Sequence, residues 1–555
     1  MSYFHFIHRL GLLVLSAALG ACSSFYQTAP ESPPQAEQRL YLLQVNDSYK
    51  IEGLENGRKG GFARLRTLRR QLEASGTPVL LMHGGDLLFP SVMSRYLQAD
   101  AMIEILNRLD GEPDAFDERM LAVFGNHEFD SNDPGLLLRR VAQADFGWVS
   151  SNTAFAFSES APKQALSKRL NNVHQRIVKT IGGIRVGVFG LTLDSRQPPY
   201  IEIMYSTAER QRIVSQALAE LQAQGAQLIV ALTHQDLEQD QWLAEQFPAI
   251  DLIIGGHEHF FIERQQGRTW ITKADADNQS AILHEIRLGD DGQISTSHQK
   301  IVLDERIAKD SAVDAAVSQQ IARLHDYLRQ QGRDPEHVFG YTRHWLEGVE
   351  PVVRSRETAL GDVLADVIRE SMNADVALLN AGSIRINDNI PPGPITAYDL
   401  EGIFYYDSSL VSFELSGAQL LELLQQSVSR AHLGDGGFLQ VSGLRFNYHV
   451  QMNDGQYRYT INPQEVEILQ RRDKGFKPLQ LQHRYRVGSS HFIWSQGASD
   501  GYPIFSPATR PPRIDRGSAV QLRAAFEKKL KRLPHNTLQQ DIEGRIKRIE
   551  DWRAY

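Results

Sequence analysis

Residues 120–130 read Met-Leu-Ala-Val-Phe-Gly-Asn-His-Glu-Phe-Asp, an apolar run that ends at Gly125 and is followed by polar side chains. A short apolar run that stops at a glycine is typical of a buried β-strand whose end turns sharply. Asn126 and His127 come directly after the turn, and Asp130 lies three residues further on. In α/β sheets, ligands bind at the carboxyl ends of strands. This stretch therefore predicts a strand that ends in a functional site.

The same pattern recurs along the first half of the chain. Apolar runs, often β-branched, lie at 40–45, 78–82, 184–191, 227–232 and 250–254, and helix-period stretches lie at 62–74, 97–108 and 208–223. This alternation of strands and helices favours an α/β fold. Four further strand ends carry polar residues: Asn46-Asp47, Gly84-Gly85-Asp86, Thr233-His234 and Gly255-Gly256-His257-Glu258-His259.

Together these strand ends predict a metal site. Asp, Asn and His side chains supply the mixed oxygen and nitrogen ligands that borderline divalent ions accept. His257 and His259 are two residues apart, so in extended chain both imidazoles point the same way. Any one of these residues alone would be interpreted as a helix N-cap or a satisfied polar group, and only their recurrence favours a metal. The one cysteine, Cys22, excludes an internal disulfide and a Cys-based zinc site.

Composition places the chain among ordinary globular proteins. Its 555 residues are 42% hydrophobic and 23% charged, which excludes a disordered, collagen-like or coiled-coil protein. At about 150 residues per domain, this length predicts two to four domains. A net charge of −8 and a pI near 6.2 argue against a partner that is a nucleic acid polymer. The sequence does not fix the oligomeric state, for which a monomer is the expectation.

The N-terminus predicts export and lipid anchoring. Residues 1–21 have the form of a signal peptide, because the apolar run 10–21 is too short to span a bilayer. The run ends in Leu-Gly-Ala-Cys, which resembles a bacterial lipobox with Cys22 as the lipidated residue; a plain secretory signal is the alternative. Residues 22–37 are rich in Ser and Pro and predict a flexible tether. We therefore expect a lipid-anchored protein of the bacterial cell envelope, at the outer membrane and facing the periplasm or the exterior.

The strand-end motifs, in their order, resemble those of calcineurin-like metallophosphoesterases, specifically the bacterial 5′-nucleotidase branch. The hexapeptide Gly-Asn-His-Glu-Phe-Asp at 125–130 is the most specific of them. The resemblance implies a four-layer αββα sandwich that holds two divalent metal ions, which could be Mn, Zn, Mg, Co or Fe. The implied ligands are the bridging Asp86, with Asn126, His234 and His257 at one metal and Asp47 and His259 at the other.

The resemblance also implies the reaction. Two divalent ions lower the pKa of a bound water and hold a phosphate for in-line attack. In the family, a histidine beside the asparagine ligand acts on the phosphate or the leaving-group oxygen, and an aspartate three residues on is its partner. His127 and Asp130 occupy those positions in this sequence.

One position departs from the family pattern. The first motif normally reads Asp-x-His with the histidine as a metal ligand, whereas this chain reads Asp47-Ser48-Tyr49. Tyr49 could bind a metal through its phenol oxygen, or it could be a spectator that leaves one metal site weak. Loss of catalysis is a third interpretation.

From about residue 338 the resemblance continues to the 5′-nucleotidase C-terminal domain. The matching segments are Arg354–Thr358, Asn380–Arg385, Phe404–Ser408, Gly437–Gly443 and Gly497–Tyr502. The resemblance implies that Tyr406 and Trp494 clamp a base and that Asp500 binds the ribose hydroxyls. Arg354, Asn380 and Arg385 would approach the phosphate or another anionic group. The alternative is that the rings are core residues and that Arg354 forms a surface ion pair. Ser408, in place of a usual asparagine, weakens the assignment of adenosine monophosphate as substrate.

The expected organisation has six segments. They are a signal peptide at 1–21, a tether at 22–37, a metallophosphoesterase domain at 38–305, a linker helix at 306–336, an α/β substrate-binding C-terminal domain at 337–520 and a helical tail at 521–555. The linker helix is either part of a hinge, as in the enzymes that the chain resembles, or a simple surface helix. The expected function is a secreted, lipid-anchored, dinuclear-metal phosphohydrolase that releases phosphate from nucleotides. The alternatives are a hydrolase of a cyclic nucleotide, nucleotide sugar, non-nucleotide phosphate or thiosulfate ester, or a non-catalytic surface binding protein.

Overall fold

A computed structural model describes residues 38–156, 162–195, 198–406, 408–453, 456–470, 475–515 and 520–550. The expected signal peptide, the tether and Cys22 lie outside these described residues. Within the described ranges, no helix has both the length and the apolar character needed to cross a bilayer.

The first half of the described chain alternates strands and helices. Its strands are β1 (Gln38–Val45), β2 (Val79–His83), β3 (Asp117–Val123), β4 (Phe146–Val149), β5 (Thr153–Phe155), β6 (Val173–His174), β7 (Arg176–Ile181), β8 (Ile184–Thr192), β9 (Ile201–Ile203), β10 (Leu228–His234), β11 (Leu252–Gly256), β12 (Ile262–Gln266), β13 (Thr269–Lys273), β14 (Ser280–Leu288) and β15 (Ile294–Val302). Its helices are α1 (Phe62–Glu73), α2 (Val92–Leu97), α3 (Asp100–Leu106), α4 (Pro134–Gln143), α5 (Thr207–Ala223), α6 (Leu237–Gln246) and α7 (Ser311–Gln330).

Two sheets pack face to face in this half. One has the strand order β15-β14-β1-β2-β3-β4-β6 and the other the order β12-β13-β11-β10-β8-β7. Leu42, Val123, Val188 and Ile254 belong to one apolar cluster that draws on both sheets, and all four are fully buried. Separate clusters join the first sheet to α1–α4 and α7, and the second sheet to α5 and α6. The expected four-layer αββα sandwich is therefore confirmed.

The registers of the central strands bring their ends together. In the first sheet, β1 runs parallel to β2 with Val45 opposite His83. In the second sheet, β10 runs parallel to β11 with His234 opposite Gly256. Because parallel strands end at the same edge of a sheet, the residues that follow them gather at one place. The sequence places Asp47, Asp86 and His257 in those positions.

The second half forms a smaller α/β region. Its strands are β16 (Val338–Thr342), β17 (Val376–Asn380), β18 (Gly393–Thr396), β19 (Leu410–Ser416), β20 (Leu439–Ser442), β21 (Leu444–Asn453), β22 (Gln456–Thr460), β23 (Val466–Leu469), β24 (Phe476–Pro478), β25 (Arg484–Ser490), β26 (Thr537–Leu538) and β27 (Ile546–Glu550). Its helices are α8 (Glu350–Val353), α9 (Ala359–Ser371), α10 (Ala397–Ile403), α11 (Gly417–Ser429), α12 (His491–Gln496) and α13 (Leu522–Arg532). A sheet with the order β19-β25-β17-β20 includes Asn380 at the end of β17, and its strand β20 lies within the segment 437–443.

The helix that joins the two halves is α7. Asp310 caps it by accepting hydrogen bonds from the N–H groups of Ala312 (3.1 Å) and Val313 (3.2 Å). Leu324 and Leu328 on its apolar face are buried against the first-half core. The helix is therefore packed on the first half of the molecule along much of its length.

The C-terminal segment differs from the expected helical tail. Within residues 521–550 the α-helix covers only Leu522–Arg532, and a short 3-10 turn follows at Pro534–Asn536. Proline lacks the N–H that a further α-helical turn would need. Beyond it, β26 pairs with β16 and β27 pairs in parallel with β21. The end of the described chain thus completes two sheets.

Candidate metal and phosphate site

Three side chains from three strand ends form the centre of the site. Ligand atoms of Asp47, Asp86 and His234 all lie within 4.8 Å of one another, and all three residues are buried. Asp47 (φ 50°) and Asp86 (φ 56°) are in the left-handed backbone region, which is uncommon for residues other than glycine. Strained backbone of this kind concentrates at functional sites, where the surrounding structure imposes it.

Neighbouring groups orient these ligand atoms. Asn46 donates through Nδ2 to Asp47 Oδ2 (2.8 Å). His234 Nδ1 lies 2.7 Å from the carbonyl oxygen of Gly84, which turns its Nε2 toward Asp86 Oδ2 (3.3 Å). The same Nε2 is 3.1 Å from Asn126 Oδ1. The structure therefore brings Asn126 together with Asp47, Asp86 and His234.

His257 and His259 border this cluster but contact different groups. The ring of His257 lies 5.3 Å from that of His234, and its Nε2 is 3.4 Å from Asp236 Oδ1. His259 Nε2 is 3.3 Å from Asp47 Oδ1. His257 has a φ of 85°, so the backbone here is not the extended chain that the two-residue spacing assumed.

Tyr49 lies inside the cluster. Its hydroxyl donates to Asp86 Oδ2 (3.0 Å) or Asp47 Oδ1 (3.2 Å), and it lies 3.1 Å from His259 Nε2. Burial, followed by the charges of Asp86 and Asp47, raises the pKa of Tyr49 well above its ordinary value. The phenol oxygen is therefore placed either as a ligand or as a hydrogen-bond donor to ligands.

The electrostatic environment favours a cation. Burial opposes protonation of His234, but the Asp86 carboxylate beside it outweighs burial and raises its pKa to about 9. For His259, burial is likewise outweighed by Glu350 and Asp47, and its pKa rises to about 10. Imidazoles that hold protons so firmly report a strongly negative local potential. This potential and the carboxylate, imidazole and amide donor set fit divalent cations of the borderline class.

His127 stands at the edge of the cluster with Asp130. Its backbone N–H donates to Asp86 Oδ1 (2.9 Å), and its Nδ1 lies 3.0 Å from Asp130 Oδ2. Its Nε2 faces Arg385 of the second half, with 3.3 Å to Nη2. The imidazole thus has one nitrogen held by a carboxylate and the other directed toward an arginine.

Sequence reasoning gave no role to Glu128, which the structure places behind the site. Its buried carboxylate accepts hydrogen bonds from the N–H groups of Asp86 (2.9 Å), Leu87 (2.8 Å) and Leu88 (2.9 Å). It therefore holds the left-handed turn at Asp86 in place. Its position inside the 125–130 motif was the only available signal, because the residue type alone is equally typical of an exposed loop.

A buried lysine supports the loop that carries His257 and His259. Sequence reasoning assigned no role to this lysine. Lys273, which is 0% exposed, lies 2.9 Å from Asp240 Oδ2 and donates to Glu258 between the two histidines. Glu258 in turn accepts from the N–H of Leu237 (2.7 Å). A fully buried lysine is rare unless paired, so this network ties the histidine loop to the sheet and to α6.

The predicted anion-binding residues of the second half converge on Glu350. Its carboxylate lies 2.7 Å from Arg354 Nη2 and 3.1 Å from Arg385 Nη1. Tyr406 is close by, with the Arg385 guanidinium 5.5 Å from the centre of its ring. Asn380 is buried and accepts a hydrogen bond from the hydroxyl of Ser383 (2.6 Å).

Trp494 and Asp500 lie in other surroundings. Trp494 donates to the carbonyl oxygen of Pro511 (2.9 Å), and Arg510 lies 4.8 Å from its ring centre. Among the described residues, Trp494 and Tyr406 make no ring contact with each other. Burial, together with the charge of Asp435, raises the pKa of Asp500 to about 6 against the opposing charge of Arg354.

A cavity of about 840 Å³ opens beside the cluster. Its lining includes His257 and His259 from the first half and Arg354, Glu350 and Tyr457 from the second. It is large enough for a nucleotide-sized molecule, since small-molecule sites range over about 300–1,000 Å³.

Comparisons with known proteins identify the families that this chain matches. The family model for the calcineurin-like phosphoesterases matches residues 40–261, and that for the 5′-nucleotidase C-terminal domain matches residues 338–507. A snake venom 5′-nucleotidase of Gloydius brevicauda is 26% identical over 540 residues, which cover 88% of this chain and 85% of that protein. The trifunctional nucleotide phosphoesterase YfkN of Bacillus subtilis is 25% identical, over 94% of this chain and 36% of its own length. The crystal structure of a 5′-nucleotidase precursor from Thermus thermophilus has a TM-score of 0.71 at 26% identity, and covers 92% of this chain and 99% of that one.

The fold and the site define a metallophosphoesterase. More particularly, the chain belongs to the calcineurin-like phosphoesterases that carry a 5′-nucleotidase C-terminal domain, and it is a 5′-nucleotidase-like phosphoric ester hydrolase. The resemblance drawn from the strand-end motifs is thereby confirmed.

Proposed function

We propose that the protein releases phosphate from nucleotides with two divalent metal ions at the cluster described above. The observation that carries the proposal is the 3.3 Å approach of Arg385 Nη2 to His127 Nε2. An arginine fork matches the oxygens of a phosphate. A phosphate bound by Arg385 would therefore lie beside both the histidine and the carboxylates.

The proposed ligands are the residues implied by the family pattern. They are Asp47, Asp86, Asn126, His234, His257 and His259, with Tyr49 as a further oxygen donor. Divalent cations bound there would activate a water for attack and neutralise charge on the phosphate. Their number and identity, among Mn, Zn, Mg, Co and Fe, belong to this proposal.

The residues of the chain divide the remaining work. His127 would hold or donate a proton at Nε2, toward the phosphate or the leaving-group oxygen, and Asp130 at Nδ1 would orient the ring. Arg354 and Arg385 would bind and orient the anionic group, and Asn380 would support them. Tyr406 and Trp494 would hold the base, and Asp500 the ribose.

A phosphate-release assay tests the proposal. Metal-stripped protein is reloaded with Mn, Zn, Mg, Co or Fe and given nucleoside mono-, di- and cyclic phosphates, nucleotide sugars and glycerol phosphate. We expect release from nucleotides that exceeds release from glycerol phosphate. Release from cyclic nucleotides or nucleotide sugars alone would shift the substrate class to those esters. No release from any ester with any metal would contradict the proposal and favour a surface binding protein.

We further propose that the mature protein begins at Cys22 and is held by lipid in the cell envelope. Support comes from the sequence, where the only cysteine follows an apolar signal-like run. Several acyl chains anchor stably, since each buried CH₂ contributes about 0.8 kcal/mol. Cys22→Ser should move the protein from the membrane fraction to the soluble fraction of expressing cells. Continued membrane association of that variant would reject the anchor.

A further inference from the structure

Glu350 links the two halves of the molecule at the cluster. It is the first residue of α8, within the match to the 5′-nucleotidase C-terminal domain, whereas His259 lies within the match to the phosphoesterase domain. Glu350 Oε2 is 2.5 Å from His259 Nδ1, and the two side chains are 5% and 10% exposed. Among the described residues, no group satisfies His259 Nδ1 by a well-formed hydrogen bond, and the Glu350 carboxylate is the charged group that lies against it. Glu350 is thus the group positioned to hold that nitrogen.

The other nitrogen of His259 faces the cluster. His259 Nε2 lies 3.3 Å from Asp47 Oδ1 and 3.1 Å from the Tyr49 hydroxyl. A carboxylate on one imidazole nitrogen and a metal position at the other is the arrangement that fixes ring orientation and raises ligand basicity in metalloproteins. Here the carboxylate comes from the opposite domain.

The position of Glu350 is itself fixed by contacts to both halves. Its N–H donates to Asn387 Oδ1 (3.0 Å), and Asn387 Nδ2 donates to the Asp277 carboxylate. Asp277 in turn accepts from the N–H of Tyr49 (2.8 Å). The backbone at Glu350 is therefore tied to the loop that carries Asp47, which fixes the point from which its carboxylate reaches His259.

We propose that Glu350 is a positioning residue that orients His259 from across the domain contact, so that metal affinity depends on the docking of the C-terminal domain. This inference rests on the proposed metal site. It predicts that loss of the Glu350 charge weakens metal binding even though Glu350 contacts no other predicted metal ligand in the structure described.

The test is calorimetric titration of the metal-stripped full-length protein with MnCl₂. We expect Glu350→Gln to raise the dissociation constant about 10- to 100-fold, the usual cost of losing an outer-shell partner. Glu347→Gln is the matched control, because Glu347 lies three residues upstream and pairs with exposed Arg356 (3.0 Å). This control should change the dissociation constant for Mn²⁺ less than about twofold, far below the loss expected for an outer-shell partner. Should Glu350→Gln fail to fold, Glu350→Asp keeps the charge but withdraws it by one methylene, and we expect it too to weaken Mn²⁺ binding.

A double-mutant cycle separates positioning from a general structural effect. In a His259→Ala background, Glu350→Gln should have no further effect on Mn²⁺ affinity, because the ring through which it acts is gone. An equal loss in that background, or wild-type affinity for Glu350→Gln and Glu350→Asp, would overturn the positioning role alone. Wild-type protein that bound no Mn²⁺ would overturn the proposed function as well, so the two failures are distinguishable.

Discussion

At the scale of single residues, His127 is the side chain whose loss should affect turnover most selectively. Its Nδ1 is held by Asp130, and its Nε2 faces Arg385 Nη2 at 3.3 Å. His127→Ala should lower kcat by about 10²- to 10⁴-fold, the range for a lost general acid or base, and leave KM nearly unchanged. Steady-state kinetics with a nucleoside monophosphate measures this, with His344→Ala, whose side chain is 44% exposed, as the control. A large rise in KM at unchanged kcat would assign His127 to binding instead.

Tyr49 provides a second test at this scale. Its hydroxyl lies within 3.2 Å of atoms of Asp47, Asp86 and His259. Whether it acts as a ligand or as a donor to ligands, Tyr49→Phe removes that contact and should weaken Mn²⁺ binding about 10- to 100-fold. Calorimetric titration of metal-stripped protein measures the change, with exposed Tyr341→Phe as the control. Unchanged affinity would identify Tyr49 as a spectator.

At the scale of elements, the strands of the sandwich were predictable from the sequence. Which strand-end residues meet in the site was predictable only in part. Every predicted apolar run became a strand within a few residues, because burial on both faces requires continuous apolar sequence. Parallel registers then made it predictable that Asp47 lies near Asp86 in one sheet and His234 near His257 in the other. The meeting of these two pairs depends on how the two sheets pack. The helix expected at 97–108 is shorter, Asp100–Leu106, because Gln98 and Ala99 adopt left-handed conformations just before it. The pairing of β27 with β21 depends on contacts distant in sequence, which local periodicity does not encode.

Arg545, the residue before β27, lies 3.5 Å from Asp362 on α9, and this contact gives a prediction of how stability changes with pH. Asp362 on α9 faces Glu357, Asp366 and Arg545. Burial, with the charges of Glu357 and Asp366, outweighs Arg545 and raises the Asp362 pKa to about 9. A raised carboxyl pKa contributes stability that is fully present below the unfolded pKa of about 4 and is lost as pH rises toward 9.

Asp362→Asn removes this ionisation while keeping a similar shape. The melting temperature of the variant relative to wild type should therefore rise steadily between pH 5 and pH 9, measured with chelator present. Asp366→Asn is the control. It breaks the ion pair with Arg545 (3.0 Å) and should therefore lower the melting temperature. If the difference in melting temperature between Asp362→Asn and wild type did not vary with pH, the raised pKa assigned to Asp362 would be contradicted.

At the scale of the whole molecule, the contacts between the two halves lay beyond sequence reasoning. The motifs identified Arg385 and His127 separately, but their 3.3 Å approach depends on how two separately folded sheets dock. Glu350 carried no motif, because a glutamate before an arginine in a helix is common as a simple ion pair. The same limit applies to Tyr406 and Trp494, which the family resemblance implies are one clamp and which the structure places among different neighbours.

Kinetics with one substrate that has a base and one that lacks it test whether Tyr406 and Trp494 act together. Tyr406 is 45% exposed beside Arg385, whereas Trp494 packs partly into the C-terminal core. If both hold the base, Tyr406→Ala and Trp494→Ala should each raise KM for a nucleoside monophosphate by about 5- to 150-fold, since stacking contributes about 1–3 kcal/mol per base. KM for glycerol phosphate, which has no base, should stay unchanged. Tyr341→Ala, which removes a ring of equal exposure on β16, is the control and should alter neither substrate. A similar rise for both substrates in Trp494→Ala would show that its ring supports the fold of the domain, and would leave Tyr406 alone as the base-binding ring.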